Sequence, residues 1–300
     1  LMNLRDHLSG VDPEIRTLIL LVAEKAKEIH AGFDKGGSIS NFKNIYGEEQ
    51  LELDKWADEV FLKAFEECEL VRSVASEEKE EVNEIKKAKG SWGVTIDPLD
   101  GSSCVKTNLA VGTIVGLFNE GDVLEQGDRM DAACFVLYGP MITLVYACKQ
   151  WGAHEFVLGS KTNEFMLRHE NIKIPDGTIF APGGLAVKYT DKHKAFVDEL
   201  EKQKYKVRYT GSMTADFNQI LHYGGIYMYP ALKEKPEGKL RLLFEANPLT
   251  LIAKEAGGAG SNGFKSIHKV KPEKLSQRTP FYVGSRNSVE LAEKIVGGNA

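Results

Sequence analysis

The chain has 300 residues, 42% hydrophobic and 27% charged, with 38 basic against 43 acidic side chains and a net charge of −5. That is a globular composition with room for one large domain or two modest ones, and it lacks the basic excess of a general nucleic-acid binder. The longest purely aliphatic run, Leu18 to Ala23, is far short of a bilayer span.

The charged N-terminal stretch does not read as a signal peptide, and the C-terminal Val-Gly-Gly-Asn-Ala matches no lipidation signal. Cys68, Cys104, Cys134 and Cys148 have no CxxC spacing and read as free thiols in a reducing compartment, so a thiolate zinc site is not expected. The expectation is a soluble protein without a membrane or nucleic-acid partner.

In chain order, Ile15, Leu18, Ile19, Val22, Ala26 and Ile29 fall at helical spacing and predict an amphipathic helix over 12–31. The Gly-rich Lys35-Gly36-Gly37-Ser38 predicts a loop, and 49–67 a second helix with Leu53, Trp56, Val60, Phe61 and Phe65 inward. A short apolar stretch then runs into the acidic "ASEEKEE". From residue 92 the texture is that of strands: 92–96, 109–118, 132–138 and 142–148, then a hairpin of 154–158 with 164–168. Helices follow over 191–202 and 214–223, with strands at 226–229 and 240–244. Asn247-Pro248 opens a helix that stops at Gly257-Gly258, and the last helix covers 288–296. The mixture without repeats predicts a layered α/β or α+β fold, with a division near 170 into segments 1–170 and 171–300.

The chemistry gathers at "TIDPLDGSS", residues 95–103. Taken alone, Asp-Pro and Asp-Gly are ordinary turn dipeptides. Pro98 biases Asp97 towards an extended backbone, so a strand ending at Ile96 would deliver Asp97 at its C-terminal tip, with Asp100 close behind. Carboxylates and the Leu99 carbonyl suit a hard dication such as Mg²⁺, and the N–H groups of Gly101, Ser102 and Ser103 suit an anion. An EF-hand is excluded, because Leu99 and Asn108 stand where it needs ligands. Glu77 and Glu78 read either as a solvated pair or as further site acids. Glu245 closes the apolar "KLRLLFE" and needs a partner or a metal there. Lys239 and Arg241 alternate on one predicted strand and would share a face, while Arg208 precedes a Gly-Ser turn. Each is either a surface cation or a phosphate ligand.

With "GSMTAD", "YGGIYMYP" and "GKLRLLFEANPLTLIAKEAGG", these stretches resemble the class I fructose-1,6-bisphosphatase family from about residue 12 to residue 296. "GEEQLELD", "TNLAVGTI", "FAPGGL" and "KYKVRYTG" are more similar to its sedoheptulose-1,7-bisphosphatase branch. The resemblance implies the αβαβα layered sandwich of the metal-dependent, lithium-sensitive phosphatases. It also implies two or three Mg²⁺ per site, with Mn²⁺ able to substitute. It assigns one ion to Asp97, Asp100 and Glu245, and a second to Glu77, Asp97 and the Leu99 carbonyl. Glu48 stands where a mobile loop usually carries an Asp for a third. Glu78 matches the acid that activates water, supported by Asp54. Gly101, Ser102 and Ser103 match the 1-phosphate loop, and Lys239 and Arg241 match residues near the sugar. Gly211, Ser212 and Met213 would line the sugar, and Tyr209, Tyr229 and Arg208 the distal phosphate.

In the family that Arg comes from a neighbouring subunit, so a homodimer or homotetramer is implied. The implied substrate is a sugar bisphosphate and the implied location the cytoplasm, or an organellar stroma if a transit peptide is removed. Gly183 and Ala186 replace the family's distal-phosphate Asn and Tyr. Ser91-Trp92 and Asn119 replace the cations of the AMP-inhibited enzymes, so no strong AMP inhibition is expected. An inositol-phosphate or nucleotide phosphatase, and an inactive sugar-phosphate sensor, are the alternatives. Cys104 has no role in this reading.

Overall fold

The amphipathic N-terminal segments become two helices laid side by side on a large sheet. A computed structural model describes residues 2–38, 48–120 and 122–298, without the side chains of 34–52. After the short α1 (Leu4–His7), α2 (Pro13–Ser38) and α3 (Glu48–Glu67) pack on one another and on one face of eight strands. These are β1 (Val71–Ser76), β2 (Asn83–Glu84), β3 (Trp92–Asp100), β4 (Val111–Phe118), β5 (Ala132–Tyr138), β6 (Ile142–Cys148), β7 (Gly152–Leu158) and β8 (Phe165–His169). Their order is β2-β1-β3-β4-β5-β6-β7-β8, antiparallel throughout except where β1 runs parallel to β3.

The other face of this sheet is covered by α5 (Met213–Tyr223) and α6 (Asn247–Glu255). Beyond them lies a second sheet with β9 (Ile179–Pro182), β10 (Lys206–Val207), β11 (Ile226–Tyr229), β13 (Ala259–Ser261) and β15 (Phe281–Gly284), ordered β10-β9-β11-β15-β13. The helices α4 (Asp191–Lys202) and α7 (Arg286–Gly297) close its outer side. The five layers are helix, sheet, helix, sheet, helix, as the expected αβαβα sandwich requires. A small ribbon of β12 (Leu240–Arg241) with β14 (Arg278–Thr279) sits beside them.

Burial on both faces explains why β4, β5 and β6 read as nearly continuous apolar runs instead of alternating ones. The apolar core divides by layer: Leu18, Val22, Phe61 and Phe65 fill the first interface, Phe135, Phe217 and Leu249 the middle one, and Phe180, Phe196 and Val289 the outer one. Phe217 lies edge-on to Phe135 with ring centroids 5.8 Å apart, and truncating so buried a ring costs about 3–5 kcal/mol.

Two expectations fail. The helix expected to stop near residue 31 runs on through Lys35-Gly36-Gly37-Ser38; a glycine costs a helix only about 1 kcal/mol, which is too little to force a break. The strand expected over 240–244 stops at Arg241, and Leu242–Ala246 form a π-helical turn. A short apolar run is compatible with either a buried strand or a buried helical turn, and β14 offers a partner over two residues only.

Candidate active site

The parallel pairing of β1 with β3 creates the site. Ser76 pairs with Ile96, and the Glu77 N–H donates to the Ile96 carbonyl at 3.0 Å. Glu77 and Asp97 therefore leave adjacent strand ends side by side, the usual place for a site in a layered α/β sheet. Contrary to the expectation of a strand ending at Ile96, Asp97 is not at the strand's tip. The strand continues to Asp100, with a register shift against β4 between Asp97 and Asp100. Pro98 cannot donate to the ladder, and a bulge is where an interior strand tolerates proline. The Thr113 hydroxyl donates to the Pro98 carbonyl at 2.9 Å, and the Leu99 N–H donates to Asp97 Oδ1 at 3.1 Å.

Glu245 completes the group from the π-helical turn, not from a strand tip. Its carboxylate accepts from the Arg241 N–H, and carboxylate oxygens of Glu77, Asp97 and Glu245 lie within 4.8 Å of one another. Burial, then the charges of Glu77, Asp100 and Glu245, hold the Asp97 carboxyl well above the usual carboxylate range. Burial with Glu77 and Asp100 does the same to Glu245. Buried like charges at this spacing call for a cation, and an all-oxygen donor set suits a hard dication.

Asp100 is held differently. Its Oδ2 accepts from the Thr214 N–H and the Thr214 hydroxyl, each at 2.8 Å, and from the Ser212 hydroxyl at 3.4 Å. Ser212 is thus a buried brace for Asp100 and not a sugar-facing residue. Close approach is what the glycines permit: a Cβ at Gly112 would stand 2.4 Å from Thr214 Oγ1, and one at Gly101 2.8 Å from Ser212 Cβ.

Above these acids opens a cleft of about 280 Å³. Asp54, Glu77, Glu78, Asp97, Asp100 and Glu245 form one wall, together with Leu99. Gly101, Ser102 and Ser103 form its corner, and Tyr209, Gly211, Met213, Tyr229 and Lys239 its far side. Ser102 donates to Asp54 Oδ2 at 3.2 Å. Burial, eased by Ser102 and reinforced by Glu77, pushes Asp54 up to about 6. Glu78 is likewise raised by burial and by Asp54, Glu77 and Asp58. Lys239 Nζ lies 5.4 Å from the centre of the Tyr229 ring.

Three predicted residues are not on the cleft wall. Arg241 and Lys239 separate instead of sharing a face, because the strand is only two residues long. Arg241 Nε donates to Glu77 Oε1 at 3.3 Å, and its Nη1 to the Ser276 carbonyl at 3.1 Å. Arg241 lines an adjoining cavity of about 440 Å³ with Glu77, Glu78, Lys79 and Lys274. Arg208 is exposed and stacks on Tyr223 at 5.3 Å, and Ser212 is internal. The Glu48 side chain lies outside the described residues.

Other residues went unread. Asp58 accepts from the Ser76 hydroxyl at 2.5 Å and pairs with Lys79 at 3.1 Å, and Ser76 Oγ accepts from the Glu78 N–H at 3.2 Å. Asp216 accepts the Thr210 N–H at 2.9 Å and so fixes the turn carrying Tyr209 and Gly211. The helical spacing of Asp54 and Asp58 was the available signal for the first, and an acid in the first turn of a helix for the second. Arg278, whose Nη1 donates to the Lys239 carbonyl at 2.5 Å, joins the wall with no sequence signal.

Residues 2–170 match the family model for the fructose-1-6-bisphosphatase N-terminal domain, and residues 174–297 that for its C-terminal domain. Among similar proteins, a class 1 fructose-1,6-bisphosphatase of Methanocorpusculum labreanum is 42% identical over 295 residues, 98% of this chain and 91% of that one. One of Geotalea uraniireducens is 42% identical over 98% of this chain and 96% of its own. The holo-form crystal structure of Leishmania major fructose-1,6-bisphosphatase superposes with a TM-score of 0.90 at 29% identity, covering 98% of both chains. With both halves matched and the fold shared over nearly its whole length, this chain belongs to the fructose-1,6-bisphosphatase family.

Proposed function

We propose that the chain hydrolyses the 1-phosphate of fructose 1,6-bisphosphate, and that Glu77, Asp97, Asp100, Glu245 and the Leu99 carbonyl hold two or three Mg²⁺, or Mn²⁺ in their place. The observation that carries this reading is the Glu77–Asp97–Glu245 group, two of its three carboxylates buried, in a cleft that Tyr209, Tyr229 and Lys239 also line. When bound, the ions neutralise phosphate oxygens and favour ionisation of the attacking water. Glu48, the first residue of α3, would add its carboxylate to this set.

Glu78, positioned by Ser76, takes the proton of the water, and its raised proton affinity suits a general base working near neutral pH. Asp54 stands beside it as a further acid that holds Ser102. Attack in line forms a P–O bond from water and breaks the bond to the sugar's C1 oxygen. Gly101, Ser102 and Ser103 hold the transferred phosphate, and Gly211 and Met213 contact the sugar. Tyr209, Tyr229 and Lys239 hold the distal phosphate, and Arg208 joins from a second subunit of a homo-oligomer. Phosphate release from fructose 1,6-bisphosphate with Mg²⁺, abolished by EDTA, is the expected result. Failure to release phosphate with either dication would overturn the reading and favour a sensor.

A seven-carbon substrate is the second reading, favoured by Gly183 and Ala186. No side chain enters the distal pocket from Gly183, whose Cβ would meet the Tyr229 ring at 2.3 Å. The ratio of kcat/KM for sedoheptulose 1,7-bisphosphate to that for fructose 1,6-bisphosphate decides between them, and a ratio far below one removes the second.

A further inference from the structure

Away from the cleft, a fully buried carboxylate, Glu155 of β7, faces two histidines. His169 of β8 is its direct cross-strand partner, which sets both side chains on one face of the sheet. His222, in the last turn of α5, reaches the same carboxylate from the neighbouring helix layer. His169 Nδ1 stands 2.7 Å from Oε2, and His222 Nε2 stands 3.2 Å from Oε1. One ligand atom from each of the three lies within 4.8 Å of the other two. Arg168 Nη1 is more distant, 3.7 Å from Oε1. His169 is half-exposed and His222 partly so, which leaves an ion a route from solvent to the buried carboxylate.

We propose that Glu155, His169 and His222 form a second metal site, separate from the all-oxygen group in the cleft, that takes a transition-metal dication of the Zn²⁺ type. Imidazole nitrogen suits zinc and its neighbours, whereas Mg²⁺ prefers oxygen. Two histidines and a carboxylate leave a fourth position for water. Bonds of about 2.1 Å place tetrahedral ligand atoms roughly 3.4 Å apart, so the observed separations open to that spacing by small side-chain rotations. Both rings would bind through the nitrogens that already face Glu155.

The other imidazole group, His7 with His154 and Glu170, is not equivalent. His154 Nε2 faces the Trp151 carbonyl at 3.0 Å, and its Nδ1 accepts the Asn171 N–H at 3.2 Å, so both its nitrogens are engaged.

The test titrates ZnCl₂ into the full chain in excess Mg²⁺, which competes for the oxygen-only positions, and follows histidine side-chain ¹⁵N resonances alongside competition with a coloured chelator. The His169 and His222 signals should move together and saturate at one equivalent. His169→Gln and His222→Gln should each weaken Zn²⁺ binding at least about tenfold, the low end of what even the outer partners of a metal contribute. Glu77→Gln should leave this binding unchanged, which separates the site from the cleft whatever the fate of the phosphatase reading. Zn²⁺ binding that leaves both histidine signals in place, or that survives both histidine substitutions, overturns the proposal.

Discussion

Thr214 donates its backbone N–H and its hydroxyl to one and the same oxygen of Asp100, each at 2.8 Å. The N-terminus of α5 is therefore built onto a carboxylate from the opposite half of the chain, and Gly112 leaves the space for the approach. These bonds favour the ionised form of Asp100 against the burial that raises it.

Thr214→Val keeps the N–H and deletes the hydroxyl. The loss of one hydrogen bond to a charged acceptor is worth about 1.5–3 kcal/mol. We expect the Mg²⁺ concentration for half-maximal activity to rise roughly tenfold or more, with the circular dichroism spectrum unchanged. An unaltered Mg²⁺ dependence would mean that Asp100 does not need this brace.

Asp97→Asn should remove nearly all turnover, a loss of about a thousandfold or more that corresponds to roughly 4 kcal/mol of barrier. It should also leave the metal-free protein no less stable at pH 8. Burial and the charges of Glu77, Asp100 and Glu245 all oppose ionisation of Asp97, so the group costs stability at any pH above the ordinary carboxylate range, where the unfolded chain is ionised. Thermal melts in EDTA and in Mg²⁺ measure both effects, and the stabilisation given by Mg²⁺ should shrink in the variant. Near-normal turnover in Asp97→Asn would refute the assignment.

Much of this site is legible in the sequence, and the reason differs between residues. Asp97, Asp100 and the three residues after them form one contiguous stretch, so their meeting needs only local geometry. Glu77 was readable as the acid at the end of a short apolar segment, but its place beside Asp97 depends on β1 pairing parallel to β3. Arg241 illustrates the limit. Its alternation with Lys239 was real in the sequence, yet the strand ends at once and the guanidinium turns to Glu77. Long-range braces such as Asp58, Thr214 and Asp216 hold ordinary helical positions, and only tertiary packing shows what they hold.

AMP should be a poor inhibitor. Where the AMP-inhibited relatives are expected to carry cations, Ser91 bonds to Asn119 at 3.2 Å and the Trp92 indole N–H donates to Glu14 at 2.7 Å. A phosphate placed there would meet a carboxylate with no cation among these four residues, a repulsive arrangement. Micromolar inhibition in a steady-state assay at saturating Mg²⁺ would contradict this.

Acid should destabilise the fold through two buried histidines. His193 is buried among Tyr189, Phe196 and Tyr282, with Nδ1 at 3.0 Å from the Tyr282 hydroxyl, and burial pushes its pKa down to about 4. His268, with Nε2 at 3.0 Å from the Asn247 carbonyl, is also lowered to about 4, chiefly by burial. An unfolded histidine takes up its proton near pH 6.5. Between that pH and about 4, the unfolded chain binds one more proton per histidine than the folded one. Stability is then fully present above pH 6.5 and falls as the pH drops towards 4, by up to about 1.4 kcal/mol per pH unit for each histidine. Urea unfolding of the wild type and of His193→Gln at pH 7 and pH 5 measures the contribution of one. The variant loses the Tyr282 contact and starts less stable, but its stability should decline less steeply with acid. Parallel declines in the two proteins would show that His193 titrates in the folded state as it does in the unfolded chain.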